Sequence, residues 1–302
     1  MRKKTAEVVL PLPVDFDREA FLDFHRRDVQ AVAERVDAKR LDKAFIWQQI
    51  PALLVVEFNE PGQARIVLKP DSDVPLTGVS LESFARHLLG LDQPTQEFEA
   101  KVADHPLIGV LVRSQAGLRV PQSASPFEAL SWAIIGQQIS VAAAVSIRRR
   151  FILALGRQHS SGLYCYPDAS DVIATDAETL KACGFSRSKA DCLLSVAQAC
   201  LAESLLPQIG IPENRLKTLQ KTLLDIRGLG PWSVHYALLR GYARMDGTLH
   251  GDVAVRRAIQ QLQGGATPPT AREAEAWLAD FRPWRSLLAA HLWKSLSLIE
   301  NG

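Results

Sequence analysis

Residues 223–259 read LLDIRGLGPWSVHYALLRGYARMDGTLHGDVAVRRAI. They place a Gly-Leu-Gly turn, residues 228–230, between two stretches whose apolar residues recur at helical spacing. The first helix is expected to end near residues 226–228, because glycine adopts the left-handed backbone angles that commonly end a helix. Pro231 then suits the first turn of a second helix, where its missing N–H is not needed. The pattern predicts a helical hairpin over about residues 216–243.

The turn of this hairpin offers a site for an anion. A glycine-flanked turn that opens a helix leaves backbone N–H groups unpaired beside the positive end of the helix dipole. A phosphate group can bind there through the backbone of Gly228, Leu229 and Gly230 without any base being read. For Gly-x-Gly alone, a glycine-capped helical hairpin with no ligand is the simpler interpretation.

The wider context of the turn resembles the helix-hairpin-helix DNA glycosylases, and most closely their alkylpurine branch, the 3-methyladenine DNA glycosylase II type. The resemblance is carried by LxxIxGLG, the small and aromatic helix after it, and the acid that follows, Asp252. Three further segments occur in the same order: residues 126–150 with Gly-Gln-Gln-Ile-Ser at a bend, residues 179–200, and residues 283–293. The resemblance covers roughly residues 119–302.

The resemblance and the local patterns together predict an α+β protein. A small N-terminal antiparallel-sheet domain at residues 1–118 would precede a mostly α-helical helix-hairpin-helix core at residues 119–302. Within the first part, three segments are predicted strands and two are predicted amphipathic helices. These are residues 8–10, 52–58 and 65–69, and residues 17–36 and 81–91.

Charge is unevenly divided along the chain, although the formal net charge is only +2. Residues 1–118 hold 15 Lys and Arg against 18 Asp and Glu, whereas residues 119–302 hold 20 against 15. The positive excess lies in the part that contains the hairpin, as a DNA-facing surface requires.

The four cysteines indicate neither a disulfide framework nor an iron–sulfur cluster. They are Cys165, Cys183, Cys192 and Cys200. Sister branches of the family carry such a cluster on four closely spaced C-terminal cysteines, and none lies in the last hundred residues of this chain. We expect free, reduced thiols, as in a cytoplasmic protein.

No transition metal and no membrane segment are predicted. His235 and His250 are isolated and lack metal-ligand spacing; the resemblance does allow a monovalent cation on the backbone carbonyls of the hairpin. No apolar run reaches the ~18 residues of a membrane span, and the basic start lacks the long apolar core of a signal peptide. We therefore expect the protein to stay in the cytoplasm.

Asp252 is the predicted catalytic residue. It directly precedes an apolar stripe at helical spacing, so it is also a predicted helix N-cap. A carboxylate is favoured at that end of a helix, and it can stabilise the positive charge that builds on the deoxyribose as the base departs. The resemblance gives Asp252 two roles, stabilising this charge and activating water, and leaves open which of them dominates.

Trp232 points to a glycosylase without lyase activity. In family members that also cut the DNA backbone, a lysine occupies the second position after the last glycine of the hairpin. Trp232 stands at that position here, and neither Pro231 nor Ser233 offers an amine. No Schiff base with the sugar is then available.

Aromatic residues are the predicted walls of a base pocket. Trp232 and Tyr236 are four residues apart and share a helix face, and Trp293 joins them by resemblance. Electron-rich rings attract a cationic alkylated purine by ~0.5–2 kcal/mol per contact. Phe21 and Phe24 are further candidates for one wall. Core packing is expected instead for three other tryptophans, Trp132, Trp277 and Trp284.

Gln138 is a candidate wedge. By resemblance, this residue fills the gap left when a nucleotide rotates out of the duplex; capping of backbone groups at a helix end is the alternative. Arg148, Arg149 and Arg150 are expected to end a helix, where positive charge suits the dipole.

These features predict a monofunctional DNA glycosylase that hydrolyses the N-glycosidic bond of alkylated purines, of the 3-methyladenine and 7-methylguanine type, in base excision repair. Its partner would be double-stranded DNA containing alkylated bases, with no membrane and no required cofactor, and it would act as a monomer. Two alternatives stay open. One is a non-catalytic helix-hairpin-helix DNA-binding module, and the other is a glycosylase for oxidised or deaminated purines.

Overall fold

The computed structural model describes residues 5–72, 80–202 and 211–300, with side chains of the last helix described to residue 296; the basic start at residues 1–4 lies outside this part. The strands are β1 Ala6–Pro11, β2 Glu34–Val36, β3 Arg40–Trp47, β4 Ile50–Glu57 and β5 Gln63–Pro70. The helices of the first half are α1 Arg18–His25, α2 Leu81–Leu89, α3 Thr95–Val102, α4 Ile108–Ser114, α5 Pro126–Gly136 and α6 Val141–Leu155. The remaining helices are α7 Ala169–Ile173, α8 Ala177–Ala182, α9 Arg187–Ala202, α10 Glu213–Asp225, α11 Pro231–Tyr242, α12 Val253–Gln263, α13 Ala271–Ala279 and α14 Arg285–Glu300. Within the described ranges, no helix combines the length and the hydropathy that a bilayer crossing requires.

The five strands form one antiparallel sheet in the order β1-β5-β4-β3-β2. Helices α1 and α2 cover one face, where Leu22 and Leu88 pack with strand residues such as Leu54. Against the other face lie Leu163 and Cys165, from the segment between α6 and α7. This arrangement confirms the predicted α+β class, and the three predicted strands lie in β1, β4 and β5.

Two apolar clusters hold the helical part together. The first lies among α5, α6, α9, α10 and α11, and the second gathers α11, α12, α13 and α14. Helices α3 and α4 also join the second cluster, because Phe98 and Leu111 pack with residues such as Leu288 of α14. The domain boundary at residues 118–119 stays a prediction.

A buried ion cluster joins the sheet to the helical part. The Lys43 Nζ atom of β3 lies 2.6 Å from Glu34 Oε1 and 2.8 Å from Glu128 Oε1 on α5. Arg148 of α6 donates to Glu34 Oε2 at 3.1 Å. Burial alone would raise the pKa of Glu34, but the charges of Lys43 and Arg148 outweigh it and hold this pKa well below its usual value. Two buried cations and two buried carboxylates therefore balance each other at this junction.

The predicted helix over residues 17–36 is wrong in its second half. Helix α1 ends at His25, and the chain turns before entering β2 at Glu34. Ala31 takes left-handed backbone angles with φ 50°, and Asp28 accepts a hydrogen bond from the backbone N–H of Gln30 at 3.1 Å. This local bonding competes with helix formation, as Asp side chains often do.

The expectation that three arginines end a helix is also wrong, because α6 continues to Leu155. Each arginine has its own partner instead. Arg148 lies in the buried ion cluster, Arg149 pairs with Asp28, and the Arg150 Nε atom donates to the carbonyl of Cys183 at 2.8 Å. These groups bind within the protein and do not neutralise a helix end.

Candidate active site

Asp252 is held by three N–H donors. It is the N-cap of α12, and its Oδ1 atom accepts from the backbone N–H of Val255 at 3.0 Å. The indole Nε1 of Trp293 donates to the same oxygen at 3.2 Å, and that of Trp232 donates to Oδ2 at 2.8 Å. Asp252 therefore caps a helix, as predicted, and its carboxylate lies among the predicted pocket residues.

The three predicted aromatic residues are brought together around this carboxylate. The rings of Trp232 and Tyr236 are stacked, with centroids 5.4 Å apart and planes at 28°. Trp293 approaches Tyr236 with a centroid distance of 6.1 Å. Trp232 and Trp293 are half-buried, so their rings border an open cleft. Tyr236 lies at the base of this cleft and is only 8% exposed.

A small cavity lies beside the aromatic cleft, between the N-terminal part of the chain and the helices. Phe24, Arg27, Trp132 and Tyr236 line one small cavity. The guanidinium carbon of Arg27 lies 3.9 Å from the Phe24 ring centroid and 4.8 Å from that of Trp132. Arg240 approaches the same phenyl ring, with its Cζ atom 4.3 Å from the centroid. This cavity shares Tyr236 with the aromatic cleft, and Arg240 lies between the two, since its Cζ atom is also 5.9 Å from the Trp293 ring centroid.

The other aromatic residues considered from the sequence divide between the core and this cavity. Phe21 is buried in the core of the sheet, whereas Phe24 lines the cavity. Trp277 and Trp284 pack half-buried against the second apolar cluster. Trp132 also packs against the core, but it lines the cavity as well, which sequence reasoning did not anticipate.

Sequence reasoning missed the two arginines. Arg240 follows Trp232 and Tyr236 at successive intervals of four residues, so its place on the same face of α11 could have been found from helical spacing. Arg27 gives no such signal, because it comes from α1's C-terminal turn and reaches the cleft through long-range packing.

The hairpin has the geometry that the turn residues predict. Gly228 adopts φ +99°, and a Cβ atom there would lie 3.0 Å from Cys192, so this position requires glycine. Leu229 turns its side chain into the core and could contribute only its backbone to a ligand. Gly230 is exposed, and nothing lies within 4 Å of where its Cβ would be.

Backbone N–H groups at the start of α11 are open. Those of Gly230, Trp232 and Ser233 have no hydrogen-bond acceptor in the part of the chain that the structure describes. Gly230 is the N-cap and offers no capping side chain. Unpaired amides at an exposed helix N-terminus favour an anion there, which supports the prediction of a phosphate contact.

Gly230→Asp separates this contact from folding. Aspartate is among the preferred N-cap residues, and the free space around Gly230 accepts a side chain, so we expect the thermal unfolding temperature to stay equal or rise. The added negative charge would repel a phosphate, and we expect the affinity for a DNA duplex to fall about tenfold or more.

Fluorescence anisotropy with a labelled duplex measures this effect, and Gly230→Ser provides a neutral N-cap control. A Gly230→Asp protein that binds DNA as well as the Gly230→Ser protein would contradict the phosphate contact.

The bend between α5 and α6 lies against the hairpin. The Gln137 side-chain amide donates to the Gly228 carbonyl at 2.9 Å and to Ser233 Oγ at 2.8 Å. Gln138 is exposed, has left-handed angles with φ 56°, and makes no hydrogen bond with any described residue. Its neighbours Ile139 and Val141 are also exposed. Gln137, not Gln138, makes the bonds that the capping alternative required, and this favours the wedge interpretation of Gln138.

The described histidines and cysteines form no metal site. His235 bonds to the Thr248 carbonyl at 2.8 Å, and burial lowers its pKa. Cys165, Cys183 and Cys192 are buried, Cys200 is half-buried, and all four are free. Within residues 5–72, 80–202 and 211–300, no cluster of three His, Cys, Asp or Glu side chains is placed to bind a metal ion.

These features define a helix-hairpin-helix protein of the DNA-repair class. They are a glycine hairpin with open amides, an exposed bend beside it, and a carboxylate in an aromatic cleft. The family model of the HhH-GPD superfamily base excision DNA repair proteins matches residues 131–283, about half of the chain. The chain belongs to this family. The matched segment includes the bend, the hairpin and Asp252.

Individual relatives agree with this assignment. The chain is 24% identical over 295 residues to a DNA-3-methyladenine glycosylase of Bacillus subtilis, covering 96% of this chain and 97% of the relative. It is 33% identical over 190 residues to DNA-3-methyladenine glycosylase 2 of Escherichia coli, covering 62% and 63%. Among solved structures, a 3-methyladenine DNA-glycosylase from Archaeoglobus fulgidus superposes with a TM-score of 0.77 at 19% identity, covering 95% of this chain and 97% of that one. The last comparison concerns the fold alone.

Proposed function

We propose that this base excision repair protein is a monofunctional DNA glycosylase that hydrolyses the N-glycosidic bond of alkylated purines in duplex DNA. The observation that carries the proposal is the environment of Asp252, whose carboxylate accepts from the indoles of Trp232 and Trp293. The same indoles, with Tyr236, form the cleft. The names of the relatives from Bacillus subtilis and Escherichia coli support the choice of alkylated purines.

One acceptor position of the carboxylate is available for chemistry. A carboxylate offers about four acceptor positions, and three are occupied, two on Oδ1 and one on Oδ2. The Oδ2 atom therefore keeps an open lone pair. Because the three donors fix the carboxylate group, its negative charge is placed before the substrate arrives, as electrostatic preorganisation requires.

Hydrolysis then follows from this placement. The bond between C1′ and the base nitrogen breaks with both electrons going to the base, which cancels the positive charge of an alkylated purine. The positive charge left on the sugar is stabilised by Asp252. A water oxygen bonds to C1′, and its released proton passes to Asp252 Oδ2 or to solvent. Stacking of the cationic base on the rings of Trp232 and Tyr236 favours its binding.

Incubation with methylated duplex DNA tests this function. We expect chromatography to detect free 3-methyladenine or 7-methylguanine, and we expect the DNA backbone to stay intact until alkali cleaves the abasic site. Trp232 replaces the lysine that a Schiff base would need. Strand cleavage without alkali would contradict the monofunctional assignment, and DNA binding without base release would favour a non-catalytic module.

We further propose that the protein acts as a monomer in the cytoplasm.

A further inference from the structure

Asp252 stands at the end of an irregular segment of the chain. Residues 243–252 connect α11 to α12 without regular hydrogen bonding. Residues 247–249 of this segment are nevertheless buried, and Leu249 has no exposed surface. The N–H of Asp252 donates to the Leu249 carbonyl at 3.0 Å. The place of the Asp252 backbone therefore depends on how this segment is held.

Helix α14 holds this segment from one side. The backbone N–H of Gly247 donates to Ser286 Oγ at 2.8 Å, and the same hydroxyl donates to the Gly247 carbonyl at 2.9 Å. Trp293 lies seven residues after Ser286, on the same face of the helix, and donates to Asp252 itself. Helix α14 therefore contacts the segment near its middle and at its end.

Helix α11 holds the segment from the other side through His235. The imidazole Nδ1 atom lies 2.8 Å from the Thr248 carbonyl oxygen, and it must donate because a carbonyl only accepts. His235 follows Trp232 by three residues, which makes the two side chains neighbours on the helix surface, and Trp232 donates to Asp252. A Cβ atom on Gly247 would lie 3.1 Å from His235 Cβ, so the segment packs closely against this side chain. Helix α11 also contacts the segment at two points.

A chain of hydrogen bonds fixes which nitrogen of His235 carries the proton. The Arg244 guanidinium group can only donate, and its Nη1 atom lies 2.6 Å from Gln220 Oε1. The NH2 group of Gln220 therefore faces His235 Nε2, 3.0 Å away, and donates to it. Burial lowers the pKa of His235, so the imidazole is neutral at pH 7. The Nε2 atom accepts and the Nδ1 atom carries the proton, which is the form that the Thr248 carbonyl requires.

We propose that His235 is a positioning residue for base release, which acts through the Thr248 carbonyl to keep the Asp252 carboxylate between its two indole donors. The inference rests on the proposed glycosylase function and deepens it, because it names a residue on which the geometry of the carboxylate depends. Among the described residues, His235 bonds to Gln220 and Thr248 and not to Asp252. Its effect on the reaction is therefore indirect.

A small displacement of the carboxylate is enough to slow the reaction. Positive charge develops at C1′ of the sugar as the base leaves, and its stabilisation depends on the distance to the carboxylate. A misplacement of about 1 Å can cost about a hundredfold in rate. The proposed DNA contacts lie on the hairpin amides and on the bend, away from Thr248. Loss of the His235 contact should therefore lower the maximal rate and leave the affinity for DNA unchanged.

His235→Gln and His235→Asn form a matched pair that separates the two bonds of this imidazole. The amide of a glutamine extends to the place of Nε2, so it can keep the bond to Gln220 but loses the bond to Thr248. The amide nitrogen of an asparagine is attached to Cγ, as Nδ1 is, so it can keep the bond to Thr248 but loses the bond to Gln220. Each variant loses one hydrogen bond, and His235→Asn also leaves the larger void. A purely structural role would make His235→Asn the more damaging change.

The order of the two rates distinguishes positioning from packing. Single-turnover release of 7-methylguanine is measured at saturating protein and below the unfolding temperature of each variant, with duplex affinity measured by fluorescence anisotropy. We expect His235→Gln to lower the maximal rate about tenfold or more at unchanged affinity. We expect His235→Asn to keep a rate at least about threefold above that of His235→Gln, although it should unfold at an equal or lower temperature. If His235→Gln does not fold, His235→Leu takes its place, because it also lacks a donor for the Thr248 carbonyl.

Each other outcome overturns the inference. A wild-type rate in His235→Gln would show that the Thr248 contact is not needed for base release. A His235→Asn protein as slow as His235→Gln would show that this histidine only packs and bonds within the fold. A loss of duplex affinity that accounts for the slower rate would assign it to DNA binding instead. These three results leave the proposed function standing, because the wild-type protein still releases 7-methylguanine. A wild-type protein that releases no base would reject both.

Discussion

Asp252→Asn should lower the rate of base release by on the order of a thousandfold, because it removes the carboxylate that accepts from both indoles of the aromatic cleft. DNA binding should be retained, since the hairpin amides and the bend are untouched. The measurement is single-turnover release of 7-methylguanine from a methylated duplex, paired with duplex binding by fluorescence anisotropy.

Asp252→Asn also disturbs the hydrogen bonds around this side chain. The amide oxygen of an asparagine can accept from Val255 and Trp293 as Oδ1 does now. Its NH2 group would then face the Nε1–H of Trp232, which now donates to Oδ2 at 2.8 Å. Two donors would meet in a partly buried site, and the indole would have to move.

The conflict between the two N–H donors does not arise when Asp252→Asn is made in a Trp232→Phe protein. In a Trp232→Phe protein the donor is absent, so a further Asp252→Asn change alters the charge without opposing two N–H groups. We expect the Trp232→Phe protein to keep measurable activity and the double variant to lose it by a similar factor. If Asp252→Asn left the rate of base release at the wild-type value, with and without Trp232→Phe, this carboxylate would not be catalytic.

The parts of the site that the sequence predicts are local. The hairpin follows from glycine and proline chemistry within a few residues, and α10 and α11 lie where the spacing places them. The N-cap role of Asp252 is predictable for the same reason, because it involves only this side chain and the first turn of α12. The shared face of Trp232 and Tyr236 follows from helix geometry.

What the sequence does not predict depends on long-range pairing. Glu34 and Lys43 are charged, so a hydrophobic pattern assigns them to the surface, yet both are buried because they neutralise each other and the charges of α5 and α6. Strand β3 therefore gave no clear strand signal, and the end of α1 was misplaced. Arg27 reaches the cleft only because this junction positions the turn after α1.

Lys43→Met should destabilise the protein by about 3–5 kcal/mol, a large part of an ordinary stability of about 5–15 kcal/mol. Lys43 is 1% exposed and bridges Glu34 and Glu128. Without it, these two buried carboxylates keep Arg148 beside both of them and the His25 imidazole 2.9 Å from Glu34 Oε1. Urea unfolding measures the loss, and Lys39→Met, an exposed lysine of the same region, should change stability by less than about 0.5 kcal/mol.

The pH dependence of stability tests whether unpaired charge causes the loss in Lys43→Met. In the wild-type protein the pKa values of Glu34 and Glu128 are lowered, because the nearby cations outweigh burial. Their stabilisation is therefore present above the unfolded value and is lost as pH falls through the folded one. In Lys43→Met a buried carboxyl group should have a raised pKa, so acid relieves its charge. The difference in stability between the two proteins should shrink as pH falls from 7 towards 4.5.

Restoring charge balance should recover stability if unpaired charge is the problem. Lys43→Met combined with Glu128→Gln leaves Glu34 paired with Arg148, and the new amide oxygen can still accept from the Ala124 N–H. We expect this double variant to be more stable than Lys43→Met alone, whereas simple loss of packing would make it less stable or leave it unchanged. The same junction holds the turn that carries Phe24 and Arg27. A Lys43→Met protein that folds at low temperature should therefore lose 7-methylguanine release before it loses DNA binding, because the hairpin amides between α10 and α11 lie outside the ion cluster.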